Sequence, residues 1–201
     1  MNVKILFLGP PDSPVLHWLM EQGEEIYSTL EKISPHFVLE NGFNFLISYG
    51  YRHILKTDVL DLFPGKAINL HISYLPYNRG ADPNFWSFLE GTPKGVTIHY
   101  LDAGVDTGDI IVQRTVTFDV LETETLASSY SKLQTSIQHL FFENWANIKQ
   151  GTCNRIPQVE AGTTHKIKDK APFEFLLQKD GWNTPLSVLE NYRMNQQPIL
   201  P

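Results

Sequence analysis

Short, nearly unbroken apolar runs alternate with amphipathic stretches through the first half of the chain, the rhythm of strands interleaved with helices. Lys4-Ile-Leu-Phe-Leu8 reads as a buried strand that stops at Gly9-Pro10-Pro11. A helix follows, with Asp12 or Ser13 as its cap, Pro14 at its first position and Gly23 beyond its end. Asn44 to Tyr49 predicts a second strand, Thr57 to Phe63 a short helix halted by Pro64-Gly65, and Ala67 to Ser73 a third strand. A loop rich in Pro, Asn, Arg and Gly comes next, and then Asp82-Pro83 opens a helix over Asn84 to Glu90, with Gly91 behind it. Gly95 to Tyr100 and Ile110 to Phe118 predict two further strands joined by the turn Asp102 to Gly108. The longest helix carries the clearest pattern. Leu126, Tyr130, Leu133, Ile137, Leu140, Phe141, Trp145 and Ile148 recur at helical spacing, Thr123 or Thr125 stands where a cap belongs, and Gly151 ends the run. From Thr152 the pattern loosens. Residues 152–201 read as an extension around an α/β body formed by residues 1–151.

Composition sharpens this picture in three ways. At 201 residues the chain matches one domain with a modest appendage, and it buries about 70% of its unfolded surface without needing staples. Sixteen basic against twenty-two acidic residues leave a net charge of −6, so no positive field holds a phosphate backbone and nucleic acid is not an expected partner. The single cysteine, Cys153, forms no internal disulfide, and the apolar run Ile5 to Leu8 is too short for a signal-peptide core or a membrane span. A cytoplasmic protein with no membrane partner is expected.

Candidate chemistry gathers in two places. Asn69 and His71 stand two apart on a strand and therefore project from one face, at the end where open α/β sheets bind ligands. Asp106-Thr-Gly-Asp109 lies in the turn between two later strands. Taken separately, both invite plainer readings: polar residues satisfying loop backbone, and ordinary turn chemistry. A calcium loop starting at Asp102 fails, because its third position is Gly104 and its twelfth is Gln113. A metal site built from His71, His99 and an aspartate lacks the spacing of a ligand set, and His99 reads as a hydrogen-bonded structural histidine. No metal is expected.

The joint order of Ile68-Asn-Leu-His-Ile-Ser-Tyr-Leu-Pro76, Arg79-Gly80, Gly95-Val-Thr-Ile-His99 and Asp106-Thr-Gly-Asp-Ile-Ile111 resembles the formyltetrahydrofolate-dependent formyltransferases. The likeness covers about Phe45 to Gln113 and is thinner elsewhere. It implies a Rossmann-like fold, an open, mostly parallel twisted sheet flanked by helices, with the C-terminal extension added. It also implies a catalytic set of Asn69, His71 and Asp106, with N10-formyltetrahydrofolate as co-substrate. An amine attacking the formyl carbon creates an oxyanion. An amide such as that of Asn69 can donate to it, and losing such a donor typically costs about 10²–10³ in rate. His71 can take the proton that the amine releases, and Asp106 can favour the imidazolium. By the same resemblance Arg52, His53, Ile54 and Leu55 line one side of the folate site, largely through backbone groups, and Asp102, Ala103 and Gly104 line the other.

Departures from the family's branches narrow the acceptor. Gly9-Pro-Pro-Asp-Ser13 replaces the glycine- and serine-rich phosphate loop of glycinamide ribonucleotide enzymes, and two prolines there remove backbone donors. The region before Asn69 is also short, which leaves its strand count open. Transfer-RNA enzymes append an oligonucleotide-binding barrel, for which the fifty residues after Gly151 leave little room. Tyr77-Asn-Arg-Gly-Ala-Asp-Pro-Asn-Phe-Trp86 is most similar to enzymes that formylate nucleotide-linked amino-deoxysugars for surface polysaccharides. Tyr77, Asn78, Arg79, His165 and Lys166 are the expected substrate contacts, while Trp86 reads equally well as a packing residue. A glycinamide ribonucleotide-type or other small-amine formyltransferase, a formyltetrahydrofolate hydrolase and a folate-binding module without catalysis are the alternatives. Phe141, Phe142, Trp145 and the Phe173-Glu-Phe175 tail suggest surplus apolar surface and hence a homodimer.

Overall fold

A computed structural model describes residues 3–196. The elements run β1 (Lys4–Leu8), α1 (Pro14–Glu21), β2 (Glu25–Thr29), α2 (Pro35–Asn41), β3 (Phe45–Ser48), α3 (Thr57–Leu60), β4 (Ala67–His71), β5 (Arg79–Gly80), α4 (Pro83–Glu90), β6 (Gly95–Tyr100), β7 (Ile110–Thr115), α5 (Leu126–Gln150), β8 (Thr164–His165) and α6 (Leu186–Gln196). Six strands form one sheet in the order β2-β1-β3-β4-β6-β7. The strands β2, β1, β3 and β4 are mutually parallel, and β6 runs antiparallel to β4. This is the expected mostly parallel α/β sheet.

Described residues up to His71, with Thr97–Gln113 and Ile137–Val159, form one compact unit; Ile72–Val96, Arg114–Ser136 and the described residues from Glu160 form another. The expected boundary at 151/152 therefore does not match the division. In the first unit, every side chain from Ile5 to Leu8 is buried, as a parallel strand covered on both faces requires. Leu6 and Leu8 face a core with Val38 of α2, Leu46, Val59 of α3, Phe63 and Ala67. On the other alternation, Phe45 meets the Trp145 ring of α5 edge-on at 5.3 Å, and Trp18 of α1 stacks on Phe142 at 4.7 Å. In the second unit Phe85, Trp86, Phe88 and Leu89 of α4 pack with Leu126, Leu186 and Leu189, with Phe173 laid against them.

Cap signals worked where the chemistry was local. Pro14 begins α1 after Ser13, and Gly23 follows at φ +76°. Thr125 Oγ1 accepts from Ser128 N at 3.1 Å, which caps α5; at the other end Gly151, at φ +70°, donates to Ile148 O and Thr152 N to Asn147 O. Asp82 precedes Pro83 as expected, but its carboxylate serves Lys170 at 2.6 Å rather than the helix backbone.

Other expectations are corrected. The sheet gains an unforeseen β2, whose alternating half-exposed pattern disguised an edge strand. The unforeseen α2 opens on Ser34, which accepts from Phe37 N, and closes on left-handed Gly42. The segment holding Arg79-Gly80 is not simply a loop: it pairs in parallel with Thr164–His165, a partner 85 residues away that no local pattern reveals. Of the apolar residues that suggested a dimer, Phe141 and Trp145 are buried, Phe173 packs on the second core and Phe175 is 51% exposed, which leaves the oligomeric state untouched. Among the described residues no helix is long and apolar enough to cross a membrane.

Candidate active site

The pairing of β4 with β6 creates the site's floor. Asn69 lies opposite His99, and His71 opposite Thr97. Antiparallel partners project to the same face, so Asn69, His71 and His99 share one side of the sheet. The turn after β6 then returns Asp106 over that face. It does so with Asp106 at φ +54°, a conformation costly for most residues but open to aspartate. Gly108 makes the return possible, because a Cβ there would run into the Tyr100 carbonyl oxygen. Asp102 ties the turn from within, accepting from Gly104 N at 3.0 Å and Thr107 Oγ1 at 2.7 Å.

The result is a close polar cluster. Asn69 Nδ2 donates to Asp106 Oδ1 at 3.1 Å and lies 3.2 Å from His99 Nε2. His71 Nδ1 stands 3.7 Å from Asp106 Oδ2, an ionic distance too long for a hydrogen bond, and His99 Nε2 stands 3.3 Å from Oδ1. His71 and His99 are both buried, and the Asp106 side chain is 12% exposed. The carboxylate dictates the Asn69 amide orientation, since an amide oxygen in its place would face like charge.

Hydrogen bonding also constrains His99. Its Nδ1 lies 2.8 Å from the Tyr100 carbonyl, which only accepts, so Nδ1 carries a proton. Neutral, His99 takes a proton donor at Nε2 and competes for the second N–H of Asn69. As imidazolium it donates to Asp106 instead, and that N–H is free to meet an oxygen elsewhere. The reading of His99 as a hydrogen-bonded core histidine therefore holds, yet its contact with both Asn69 and Asp106 was not foreseen. The available signal was register: a histidine on the strand beside Asn-x-His.

A family model described as "Formyl transferase" matches residues 25–144. The chain belongs to the formyl transferase family. A methionyl-tRNA formyltransferase of Desulforamulus reducens is 30% identical over 92% of this chain, but over only 54% of its own length. Another, from Syntrophus aciditrophicus, is 46% identical over 42% of this chain and 25% of its own. The chain thus spans about half the length, or less, of such curated relatives. Among solved structures, the formyltransferase PseJ from Anoxybacillus kamchatkensis is 47% identical with a TM-score of 0.88, covering 94% of this chain and 99% of that one. That structure is a complex with UDP-4,6-dideoxy-4-formamido-L-AltNAc and tetrahydrofolate. A 4-N formyltransferase from Francisella tularensis shares the fold at 20% identity and TM-score 0.73, covering 99% of this chain and 90% of that one.

The residues expected to hold folate divide in the structure. Asp102 and Ala103 border a cavity of about 370 Å³, lined also by Leu60, Phe63, Ala67 and Tyr100. Thr57, Asp61 and Arg155 also line it, so its lining mixes polar and apolar side chains, and its volume is that of a small-molecule site. Arg52, His53 and Ile54 are exposed on the loop after β3, and Leu55 packs on the core. Arg155 reaches the cavity edge, with its guanidinium 3.7 Å above the Tyr100 ring and 3.4 Å from Asp109. Burial pushes the Tyr100 phenol up, so it stays protonated. Asp109 is thus an ion-pair partner of Arg155.

The expected substrate contacts sit together in the second unit, because β5 pairs with β8. Their states differ. Asn78 is fully buried: its backbone N donates to Thr163 Oγ1 at 2.8 Å, its Nδ2 to Thr92 Oγ1 at 2.7 Å, and its Oδ1 accepts from Thr163 at 3.1 Å. His165 stacks on Trp86 at 3.9 Å, with its Nε2 3.1 Å from Glu90 but not aligned as a hydrogen bond. These two brace the segment, and Trp86 is the packing residue it equally promised to be. Tyr77 and Arg79 are half-buried and Lys166 exposed. Among the described residues no group of three or more His, Cys, Asp or Glu side chains is arranged to hold a metal ion.

Proposed function

We propose that this chain transfers the formyl group of N10-formyltetrahydrofolate to the amine of a nucleotide-linked amino-deoxysugar. The observation that carries this reading is the Asn69–His71–His99–Asp106 cluster in a chain 47% identical to a formyltransferase solved in complex with UDP-4,6-dideoxy-4-formamido-L-AltNAc and tetrahydrofolate. The co-substrate supplies the activated formyl group; the chain supplies everything else. Asn69 directs an amide N–H at the formyl oxygen, where negative charge develops as the amine attacks. His71 accepts the proton lost by the amine, and the Asp106 carboxylate, 3.7 Å away, stabilises the imidazolium. That proton then returns to the folate nitrogen as its bond to the formyl carbon breaks. Tyr77, Arg79 and Lys166 are the proposed contacts for the sugar nucleotide. The cytoplasm is the proposed setting and a small molecule the proposed acceptor.

The test is a panel of UDP- and dTDP-linked 3-amino and 4-amino deoxysugars with N10-formyltetrahydrofolate, followed by mass spectrometry. One sugar gaining a formyl group, with tetrahydrofolate released in equal amount, is the expected result. Tetrahydrofolate release without any amine would make the protein a hydrolase, and binding without turnover would make it a folate-binding module.

A further inference from the structure

The turn bearing Asp106 is held from outside by a segment that follows α5. Ile110 and Ile156 exchange two backbone hydrogen bonds, Ile110 N to Ile156 O at 2.8 Å and Ile156 N to Ile110 O at 3.0 Å. In an antiparallel bridge, two residues further along one strand face two residues back along the other, so position 158 faces position 108. There the side chain of Gln158 takes over. Its Nε2 donates to Gly108 O at 2.7 Å and to Asp106 O at 3.0 Å.

We infer that Gln158 is the positioning residue of the catalytic turn, holding Asp106 at its distance from His71 and Asn69. Few side chains can do this. A single amide nitrogen carries two hydrogens at a fixed angle and satisfies two carbonyls that lie two residues apart. Gly108 is buried, so its carbonyl needs a partner. Asp106 is itself in a left-handed conformation that its surroundings must maintain. Glutamate has the same shape but, ionised, offers no donor and would face both carbonyl oxygens with charge. Methionine has similar length and offers no donor at all.

The catalytic part of this inference rests on the proposed formyl transfer; the structural part does not. Two arms of one experiment separate them. In the kinetic arm, Gln158→Met and Gln158→Glu are each expected to lower kcat by about 10-fold to 100-fold, with the acceptor KM within about twofold, as displacement of one catalytic group predicts. Gln158→Asn, still a donor but one methylene shorter, should keep more activity than either. In the second arm, amide hydrogen exchange over residues 102–109 is expected to quicken at least about tenfold in Gln158→Met, with β1 and β3 unchanged. Wild-type kcat in the methionine variant, or unchanged exchange in the turn, would overturn the role. A wild-type protein without formyl transfer would defeat the functional reading instead, and the exchange arm would then decide this one alone. If Gln158→Met fails to fold, Gln158→Glu is read in both arms by the same criteria.

Discussion

At Asp106 one carboxylate meets Asn69, His71 and His99 while its backbone holds φ +54°. Asp106→Asn keeps the shape and the tolerance for that conformation but removes the charge facing two histidines. Turnover is expected to fall at least about 100-fold, with affinity for an unreactive folate analogue within about twofold. Asp109→Asn should be far milder, since Asp109 only pairs with a half-exposed Arg155. Steady-state kinetics on the two variants checks the ranking, and a reversed order would displace Asp106 from the mechanism. Cys153 offers a second measurement. Burial raises its thiol above the ordinary range, so at neutral pH less thiolate is present and alkylation should run slower than for free cysteine. The rate should climb about tenfold per pH unit until the raised pKa is reached, followed by mass-resolved iodoacetamide labelling.

At the scale of elements, the parallel pair β5–β8 joins the two stretches that carry the expected acceptor contacts, Tyr77 to Arg79 and His165 to Lys166. Its members divide into braces and candidate contacts. Asn78→Ala removes the donor to the Thr92 hydroxyl and the acceptor of the Thr163 hydroxyl, while the backbone N–H of residue 78 still donates to Thr163 Oγ1, and a buried loss of this kind costs about 1–3 kcal/mol. Thermal or urea unfolding should register that loss. Lys166→Ala and Arg79→Ala should instead leave stability nearly unchanged and raise KM for the acceptor more than for the folate. A diphosphate contact should weaken with added salt. Equal effects on both substrates would move Arg79 and Lys166 from recognition to scaffold.

For the whole molecule, folate binding should appear as stability. An unreactive analogue at 100 times its Kd contributes about 2.7 kcal/mol, equivalent to about 5–10 °C in Tm for a chain of this size. Differential scanning fluorimetry with and without the analogue tests it, and an unmoved Tm would contradict a folate site. Asn69, His71 and Asp106 were marked together by the family resemblance, whereas the strands β1, β4 and β6 and the helix α5 were legible in the chain itself. Each is written in local terms: a run buried on both faces, a 3.6-residue stripe, a capping Thr125 and a terminal Gly151, a two-residue spacing on one strand. What only the tertiary structure decided depends on which distant segments become neighbours. The half-exposed β2 needed β1 beside it, Arg79–Gly80 needed Thr164–His165, and His99 entered the site because β6 pairs with β4 in one register rather than another. The same holds for Gln158, whose amide reaches Asp106 and Gly108 across fifty residues of chain only after Ile156 has bridged to Ile110. Periodicity and capping act over a few residues and leave their mark in order along the chain. Register between strands is set by the packing of whole faces, and no short stretch of sequence contains it.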